Sequence, residues 1–249
     1  MSSYNPFSLN GKNVLVTGAS SGIGRSVAIE CSKMGASLII TGRNKEKLEY
    51  TFSCLDQKNK HLSFTADLTK DADIEALVQH LPALSGIVNC VGILKKTPFK
   101  FIQKHQLDEM LNVNLLAPSV LLQKIYKKGI LQDNGSIVFI SSIASHVASV
   151  GNIAYMASKG ALNSLAKGMA LELSYKKVRV NCIEPALVLT DLSKGALSED
   201  QLAAYEKQIP LARFGKLEEI AFAAIYLLSD ASAWTTGSVI TLDGGITLK

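Results

Sequence analysis

The sequence has few cysteines, few charges and no long apolar run. Its four cysteines, Cys31, Cys54, Cys90 and Cys182, are too far apart along the chain for a CxxC metal or redox motif. Scattered thiols of this kind are typical of a reducing compartment. The first ten residues lack the apolar core of a signal peptide, and no run approaches the ~20 apolar residues that span a bilayer. These absences predict a soluble protein of the cytoplasm.

Charge is also scarce, which limits the classes of partner. Charged residues make up 19% of the 249 residues, and the formal net charge is only +5. A disordered or nucleic-acid-coating protein would carry more charge. The densest basic group is Lys124, Lys127 and Lys128, and lysines on a helix most often form a solvated face. The four histidines show no metal-ligand spacing. We therefore expect no nucleic acid, membrane or metal as a partner.

Short apolar runs alternate with longer helical patterns along the chain. Runs that are apolar throughout predict strands buried on both faces, and strands that alternate with helices predict a parallel sheet. No linker divides the chain, so we expect a single domain over residues 1–249. The polar stretch 186–210 is typical of a lid or a substrate-binding loop. The predicted strands are 13–17, 37–41, 61–66, 86–91, 136–141, 177–183 and 238–242, and the predicted helices are 22–34, 44–57, 72–80, 103–127, 153–175, 199–208 and 217–228.

A glycine-rich turn joins the first strand to the first helix. Glycine permits sharp turns and lets the backbone approach a phosphate, and the following helix offers free N–H groups and the positive end of its dipole. The GxxxGxG spacing alone fits a plain strand-to-helix turn as well. Its place at the first junction of a doubly wound sheet favours a dinucleotide site. The candidate residues are Gly18, Ser20, Ser21, Gly22, Ile23 and Gly24.

The end of the second strand bears on the choice of cofactor. NAD-binding chains usually carry a carboxylate there for the ribose 2′-hydroxyl. This chain has Thr41-Gly42-Arg43-Asn44 instead. Because a guanidinium makes planar, charge-assisted contacts with phosphate, Arg43 favours NADP(H) over NAD(H).

Three residues in the second half of the chain, Ser142, Tyr155 and Lys159, suggest proton transfer. Tyr155 and Lys159 are four residues apart on a predicted helix and so share one face. A nearby ammonium is expected to lower the pKa of a phenol, which can then exchange a proton with a carbonyl or an alcohol oxygen. Ser142 follows the fifth strand, at the sheet edge where ligands bind. A packed tyrosine with a surface-reaching lysine is the alternative, and Ser142 with the glycine turn disfavours it.

These motifs together resemble the classical short-chain dehydrogenase/reductase family, over nearly the whole chain from Gly11 to Gly245. The resemblance implies a Rossmann-type, doubly wound α/β fold with a seven-stranded parallel sheet in the order 3-2-1-4-5-6-7. One departure is Ala186, which follows Pro185 where the family has glycine. Further cofactor contacts implied by the resemblance are Asp67, Leu68, Asn89, Gly92, Val188 and Thr190, besides Tyr155 and Lys159.

The resemblance also implies roles and an assembly. Tyr155 would act as general acid in reduction, with its pKa lowered by Lys159, which would also bind the nicotinamide ribose. Ser142 would orient the carbonyl, and Asn114 would hold a water in a proton relay. A homotetramer is the assembly that the family suggests. Since the cofactor carries the hydride chemistry, the protein's task is orientation and electrostatics.

Segments 210–215 and 243–245 resemble the 3-oxoacyl-carrier-protein reductase branch of that family. The function expected is therefore that of an NADPH-dependent carbonyl reductase or alcohol dehydrogenase, with a 3-oxoacyl thioester as one substrate class. An acidic acyl carrier protein would then be a partner, and the lysines at 124, 127 and 128 a docking surface for it. The alternative is a non-catalytic NADP(H)-binding sensor or regulator on the same fold. His146 either contacts substrate or occupies a loop without a role.

Overall fold

A computed structural model describes residues 4–189 and 198–248 of the chain. Seven strands form one parallel sheet in the order β3-β2-β1-β4-β5-β6-β7, which confirms the predicted fold and strand order. The strands are β1 Asn13–Thr17, β2 Ser37–Gly42, β3 Leu62–Thr65, β4 Leu84–Asn89, β5 Leu131–Ile140, β6 Arg179–Pro185 and β7 Val239–Leu242.

Helices cover both faces of the sheet, as the apolar runs predict. Successive side chains of a strand point to opposite faces. Val14 and Val16 therefore pack in the core beneath α1 and α8, whereas Leu15 packs in the core beneath α5 and α6. The helices are α1 Gly22–Lys33, α2 Lys45–Ser53, α3 Asp71–Gln79, α4 Lys104–Leu111, α5 Ala117–Lys127, α6 Ile153–Glu172, α7 Glu199–Glu206 and α8 Leu217–Leu228.

The predicted helix 103–127 is interrupted by a wider turn. A π-helical turn, Asn112–Leu116, separates α4 from α5. Such turns insert one extra residue into a helical turn and occur often at functional sites. The interruption was missed because the hydrophobic spacing is nearly the same on either side of it. Its consequence is local, since it carries Asn114 into the interior, where the side chain is fully buried.

The segment 186–210 is described only in part. Residues 190–197, and with them Thr190, lie outside the described residues. The stretch ends in α7, which begins with a reciprocal capping box between Ser198 and Gln201. Among the residues that the structure describes, no helix combines the length and the hydropathy needed to cross a membrane. The single domain and the loop's role in substrate binding stay predictions.

Candidate active site

A cleft of about 440 Å³ follows the carboxyl ends of β1 to β4. Parallel α/β sheets bind ligands at this edge. The predicted cofactor residues of four different segments meet there. Several lining residues were not predicted, among them Lys47, Thr69, Ile93 and Val113. The predicted residues in the lining are Gly18, Ser20, Ser21, Gly22, Ile23, Gly24, Arg43, Asp67, Leu68 and Gly92.

The glycine turn is packed too tightly for side chains. Gly18 has a φ of +65°, and a Cβ on it would lie 3.0 Å from the main chain of Cys90. A Cβ on Gly24 would lie 2.4 Å from the Gly18 carbonyl oxygen. The first turn of α1 contains no acidic residue, and the side chain of its N-cap, Ser21, makes no capping bond. The first N–H groups of this helix are thus not capped by a side chain of the N-cap, and a helix end of this kind can bind an anion.

Gly24→Ala is expected to lower the free energy of unfolding by about 1–3 kcal/mol, because the added methyl forces the turn away from α1. The same displacement should abolish binding of NADPH, which fluorescence titration measures. Gly168→Ala is the matched control, because Gly168 lies in α6 with open space around its Cα. That variant should gain about 0.5–1 kcal/mol from helix propensity. Normal NADPH binding by Gly24→Ala would contradict the assignment of the turn.

Two side chains hold the glycine turn from outside, and sequence reasoning missed both. Arg25 Nε donates to Thr51 Oγ1 at 3.1 Å, and the guanidinium also donates to the Ser20 carbonyl. Thr51 Oγ1 donates to the Ala19 carbonyl at 2.9 Å. The contacts join α1, α2 and the turn through residues 26 positions apart. No spacing motif marks such a pairing, so the sequence alone gave no signal for it.

The end of the cleft beside β2 and β3 has two exposed cations, Arg43 and Lys47, and one oriented carboxylate. Arg43 follows β2 and lines the cleft with its side chain exposed. Asp67 accepts hydrogen bonds from the Thr69 main chain at 3.1 Å and from Thr69 Oγ1 at 2.7 Å. Burial acts to raise the pKa of Asp67, but these bonds and the charges of Arg43 and Lys70 together lower it. Asp67 is therefore an ionised acceptor at neutral pH.

Buried polar atoms without protein partners lie at the strand ends beneath the cleft. Thr17 Oγ1 donates to Asn89 Oδ1 at 3.2 Å, and Asn89 Nδ2 has no partner in the protein. Thr41 Oγ1 also lacks a partner, and Thr41 lines the cleft. Buried polar groups are nearly always hydrogen-bonded in native proteins. A polar partner, either water or a ligand, would satisfy these two atoms.

Ser142, Tyr155 and Lys159 come together, although they lie on separate segments. The Ser142 hydroxyl, just beyond β5, lies near enough to the Tyr155 phenol to lower its pKa. Lys159, one turn further along α6, is 4% exposed, and its Nζ lies 5.7 Å from the centre of the Tyr155 ring. Lys159 Nζ donates to the Ile140 carbonyl at 2.8 Å. The end of β5 thus holds both the serine and the lysine against one phenol.

The pKa of the Tyr155 phenol shifts in the direction opposite to the expected one. Burial raises the pKa of Tyr155, and the nearby Ser142 hydroxyl only partly offsets it. Burial also lowers the pKa of Lys159 to about 8. The net pKa of Tyr155 is therefore raised, not lowered as expected, because removal from water outweighs the effect of its neighbours. Tyr155 is protonated at neutral pH, which is the form that donates a proton to a carbonyl oxygen.

Asn114 is held by protein groups on every side. Its Oδ1 accepts from the Ile93 main chain at 2.8 Å, and its Nδ2 donates to the Ile93 carbonyl at 3.1 Å and to Ser158 Oγ at 3.0 Å. A Cβ on Gly92 would lie 3.4 Å from Asn114 Oδ1 and 3.5 Å from Lys159 Nζ. Asn114 is thus close to the lysine. Both side-chain N–H donors of Asn114 bind protein, so the water relay stays a prediction.

Val188 lies apart from the main cleft. It pairs with Gly215 in an isolated parallel bridge and lines a second cavity of about 180 Å³ together with Ala186. Ala186 is not among the non-glycine residues with positive φ, so replacing the family's glycine strains no backbone there. The contact of Val188 with cofactor stays a prediction.

The lysines at 124, 127 and 128 lie far from these groups. Residues 124 and 127 belong to the last turn of α5, whereas Asn114 precedes its first turn. At 1.5 Å per residue, about 15 Å of helix separates the two. Lys124 also pairs with Glu75 at 2.8 Å. The cluster therefore lies at the end of the sheet opposite Ser142, Tyr155 and Lys159, which weakens the expectation of a docking surface there.

Comparisons with known proteins match nearly the whole chain. A family profile described as "Enoyl-(Acyl carrier protein) reductase" matches residues 18–247. The 3-oxoacyl-[acyl-carrier-protein] reductase of Mus musculus is 35% identical over 237 residues, which cover 94% of this chain and 97% of the relative.

Solved structures are also similar to this chain over nearly its whole length. A short-chain dehydrogenase/reductase from Serratia marcescens BCRC 10948 superposes with a TM-score of 0.89 at 29% identity, covering 98% of this chain and 100% of that one. A gluconate 5-dehydrogenase from Burkholderia cenocepacia J2315, solved with NADP and tartrate, gives a TM-score of 0.90 at 26% identity, with 98% of each chain covered. The chain therefore belongs to the short-chain dehydrogenase/reductase family, a family of oxidoreductases that act on alcohol and carbonyl groups.

Proposed function

We propose that this protein is an NADPH-dependent carbonyl reductase in which Tyr155 is the general acid. A carbonyl compound, NADPH and one proton give an alcohol and NADP⁺. The observation that carries the proposal is the protonated Tyr155 phenol, which lies beside the Ser142 hydroxyl and the buried Lys159. The test is NADPH oxidation with a panel that contains a 3-oxoacyl thioester, a keto sugar acid and simple ketones.

The cleft fits a dinucleotide by its own geometry. The space at Gly18 and Gly24 admits no side chain, the first turn of α1 carries no acid, and Asn89 Nδ2 lacks a partner. The glycine turn and the α1 N-terminus would hold the pyrophosphate, and Asp67 and Leu68 would meet the adenine. Arg43 would meet the 2′-phosphate. When bound, NADPH supplies the hydride.

The residues of this chain would then control the proton and the carbonyl. Ser142 donates a hydrogen bond to the carbonyl oxygen and fixes its direction. Tyr155 donates its proton to that oxygen as negative charge develops there, a contribution typically worth about 10²–10⁴ in rate. Lys159 stabilises the phenolate that remains, because an ammonium beside it favours the charged form.

Arg43→Ala is expected to raise the Kd for NADPH about 10- to 100-fold, the cost of a lost charge-assisted bond of about 1.5–3 kcal/mol. The Kd for NADH should change little, since NADH has no 2′-phosphate. Fluorescence titration of both cofactors measures the difference. Lys45→Ala is the control, because Lys45 begins the next helix, pairs with Glu49 at 3.8 Å and lies outside the cleft lining. Equal losses for NADPH and NADH would contradict the 2′-phosphate contact.

The same panel of carbonyl compounds tests which class of substrate the protein reduces. Relatives include a 3-oxoacyl-carrier-protein reductase and a gluconate 5-dehydrogenase, which supports acyl thioesters and keto sugar acids as the first two classes to test. The competing function is a non-catalytic NADP(H) sensor. The joined Ser142, Tyr155 and Lys159 favour catalysis, since a sensor needs no proton donor.

Location and assembly complete the proposal. All four cysteines are free, and Cys31 and Cys182 are buried, which suits the reducing cytoplasm. Trp234 is fully exposed on the monomer surface. An aromatic side chain of that size in water favours contact with a second subunit, in line with a homotetramer.

A further inference from the structure

A buried carboxylate lies behind the catalytic groups and has no part in the chemistry above. Glu184, near the end of β6, is 2% exposed. Its side chain points to the same face of the sheet as Cys182, which packs in the core with α6. Burying a carboxylate is costly unless several donors bind it. The donors that bind Glu184 therefore indicate its task.

Those donors come from the two segments that carry the catalytic residues. Ser145 Oγ donates to Glu184 Oε1 from the short turn Ile143–Ser145 that follows Ser142. Asn163 Nδ2 donates to the same oxygen at 2.6 Å from α6, the helix of Tyr155 and Lys159. One carboxylate oxygen thus links the serine segment to the tyrosine helix.

The linkage reaches Ser142 through few bonds. Within the turn, the Ser145 N–H donates to the Ser142 carbonyl at 2.9 Å, and the Ala144 N–H donates to Ser142 Oγ at 3.2 Å. The turn also packs against α6 at Gly160, where a Cβ would lie at an ordinary contact distance of 3.5 Å from the Ser145 carbonyl oxygen. Displacement of Ser145 would therefore shift Ser142 against the helix that carries Tyr155.

Two further side chains lie beside the second oxygen of the Glu184 carboxylate. His146 Nδ1 lies 3.4 Å from Glu184 Oε2, with the histidine side chain half exposed. Thr241 Oγ1, from β7, is 3.5 Å from the same oxygen. The turn, α6, β6 and β7 all meet at this one group, so its loss would loosen several elements at once.

We propose that Glu184 is a positioning residue, which sets the contact between Ser142 and Tyr155 by fixing the turn to α6. This inference rests on the proposed function. Glu184→Met keeps the side-chain size and removes the acceptor, and kcat should fall about tenfold or more because the reacting groups are misaligned. Glu184→Gln keeps an acceptor oxygen for Ser145 and Asn163 and should restore kcat to within about threefold of wild type.

The control removes a buried hydroxyl contact on β5, the strand that precedes the turn of Ser145. Ser136, early in the buried part of β5, donates to the Leu227 carbonyl at 2.6 Å and lies far from Ser142. Ser136→Ala should lower the melting temperature without lowering kcat. Ser145→Ala should lower kcat while leaving the Kd for NADPH unchanged, and it replaces Glu184→Met as the test if the latter fails to fold.

A measurement that needs no turnover distinguishes a failure of this inference from a failure of the proposed function. In protein labelled with ¹³Cζ-tyrosine, the Tyr155 resonance is assigned by its absence from Tyr155→Phe, and its shift reports the contact with Ser142. It should move in Ser145→Ala and Glu184→Met and stay in place in Ser136→Ala and Glu184→Gln. An unmoved resonance, or wild-type kcat in folded Glu184→Met, would overturn the positioning role. A wild type that oxidises no NADPH would refute the proposed function and leave the resonance test valid.

Discussion

Tyr155→Phe is expected to lower the rate of carbonyl reduction by about 10²–10⁴-fold, because phenylalanine fills the same space and has no proton to donate. The Kd for NADPH should change by less than about threefold, since the proposed dinucleotide site lies mainly in the cleft of β1 to β4. Steady-state NADPH oxidation, together with fluorescence titration, gives both numbers. The outcome separates the general-acid role from a role in cofactor binding.

The control for this variant is Tyr175→Phe. Tyr175 is 72% exposed and its hydroxyl pairs with that of Tyr126, away from the cleft. It should retain full activity. Equal turnover by wild type and Tyr155→Phe would refute the general-acid assignment, and NADPH binding without turnover by both would favour the sensor.

Lys159→Met is expected to separate activity from stability. Turnover should fall at least about 100-fold, because the phenolate that forms at Tyr155 loses its stabilising charge. Stability at pH 7 should change little, because two effects oppose each other. Removing a desolvated ammonium is favourable, whereas the Ile140 carbonyl loses its hydrogen bond, which costs about 1–3 kcal/mol.

The pH dependence of that stability difference is the sharper measurement. The pKa of Lys159 falls from 10.5 to about 8 on folding, so between these values the unfolded chain binds more protons than the folded one. Wild-type stability therefore gains about 2 kcal/mol from this group between pH 7 and pH 9.5, and the Met variant lacks the gain. Urea unfolding of both proteins at the two pH values measures it.

Lys167→Met is the control for the titration. Lys167 lies two turns beyond Lys159 on α6 and is exposed. Its variant should follow the wild type at both pH values. A stability difference between Lys159→Met and wild type that is the same at pH 7 and pH 9.5 would show that the ammonium is not desolvated.

The fold could be predicted closely from the sequence because its determinants are local. The runs at β1 and β2 are apolar on both faces, and the glycine turn begins the first helix where the spacing placed it. The strand order came from the family resemblance. The π turn at Asn112–Leu116 could not be predicted, since a one-residue change in helical hydrogen bonding leaves the hydrophobic spacing almost unaltered.

Site residues were predictable where one segment carries the signal. Tyr155 and Lys159 share a helix, and Ser142 follows a strand, so their meeting follows from spacing and topology. The contacts of Glu184 join positions 21 and 39 residues apart, and those of Arg25 reach across helices. Such pairings depend on tertiary packing and leave no motif. The direction in which the pKa of Tyr155 shifts could not be predicted from the sequence either, since it depends on how far the fold excludes water from the phenol.

The most direct test of the account is deuterium transfer from NADPH labelled at C4 of the nicotinamide. With the carbonyl compound that turns over best, mass spectrometry of the product alcohol should show one deuterium on the former carbonyl carbon from one of the two labelled diastereomers. The oxygen-bound hydrogen should come from solvent, by way of Tyr155. NADPH oxidation that leaves no deuterium in the alcohol from either diastereomer, or no oxidation with any carbonyl compound, would contradict direct hydride transfer at this site.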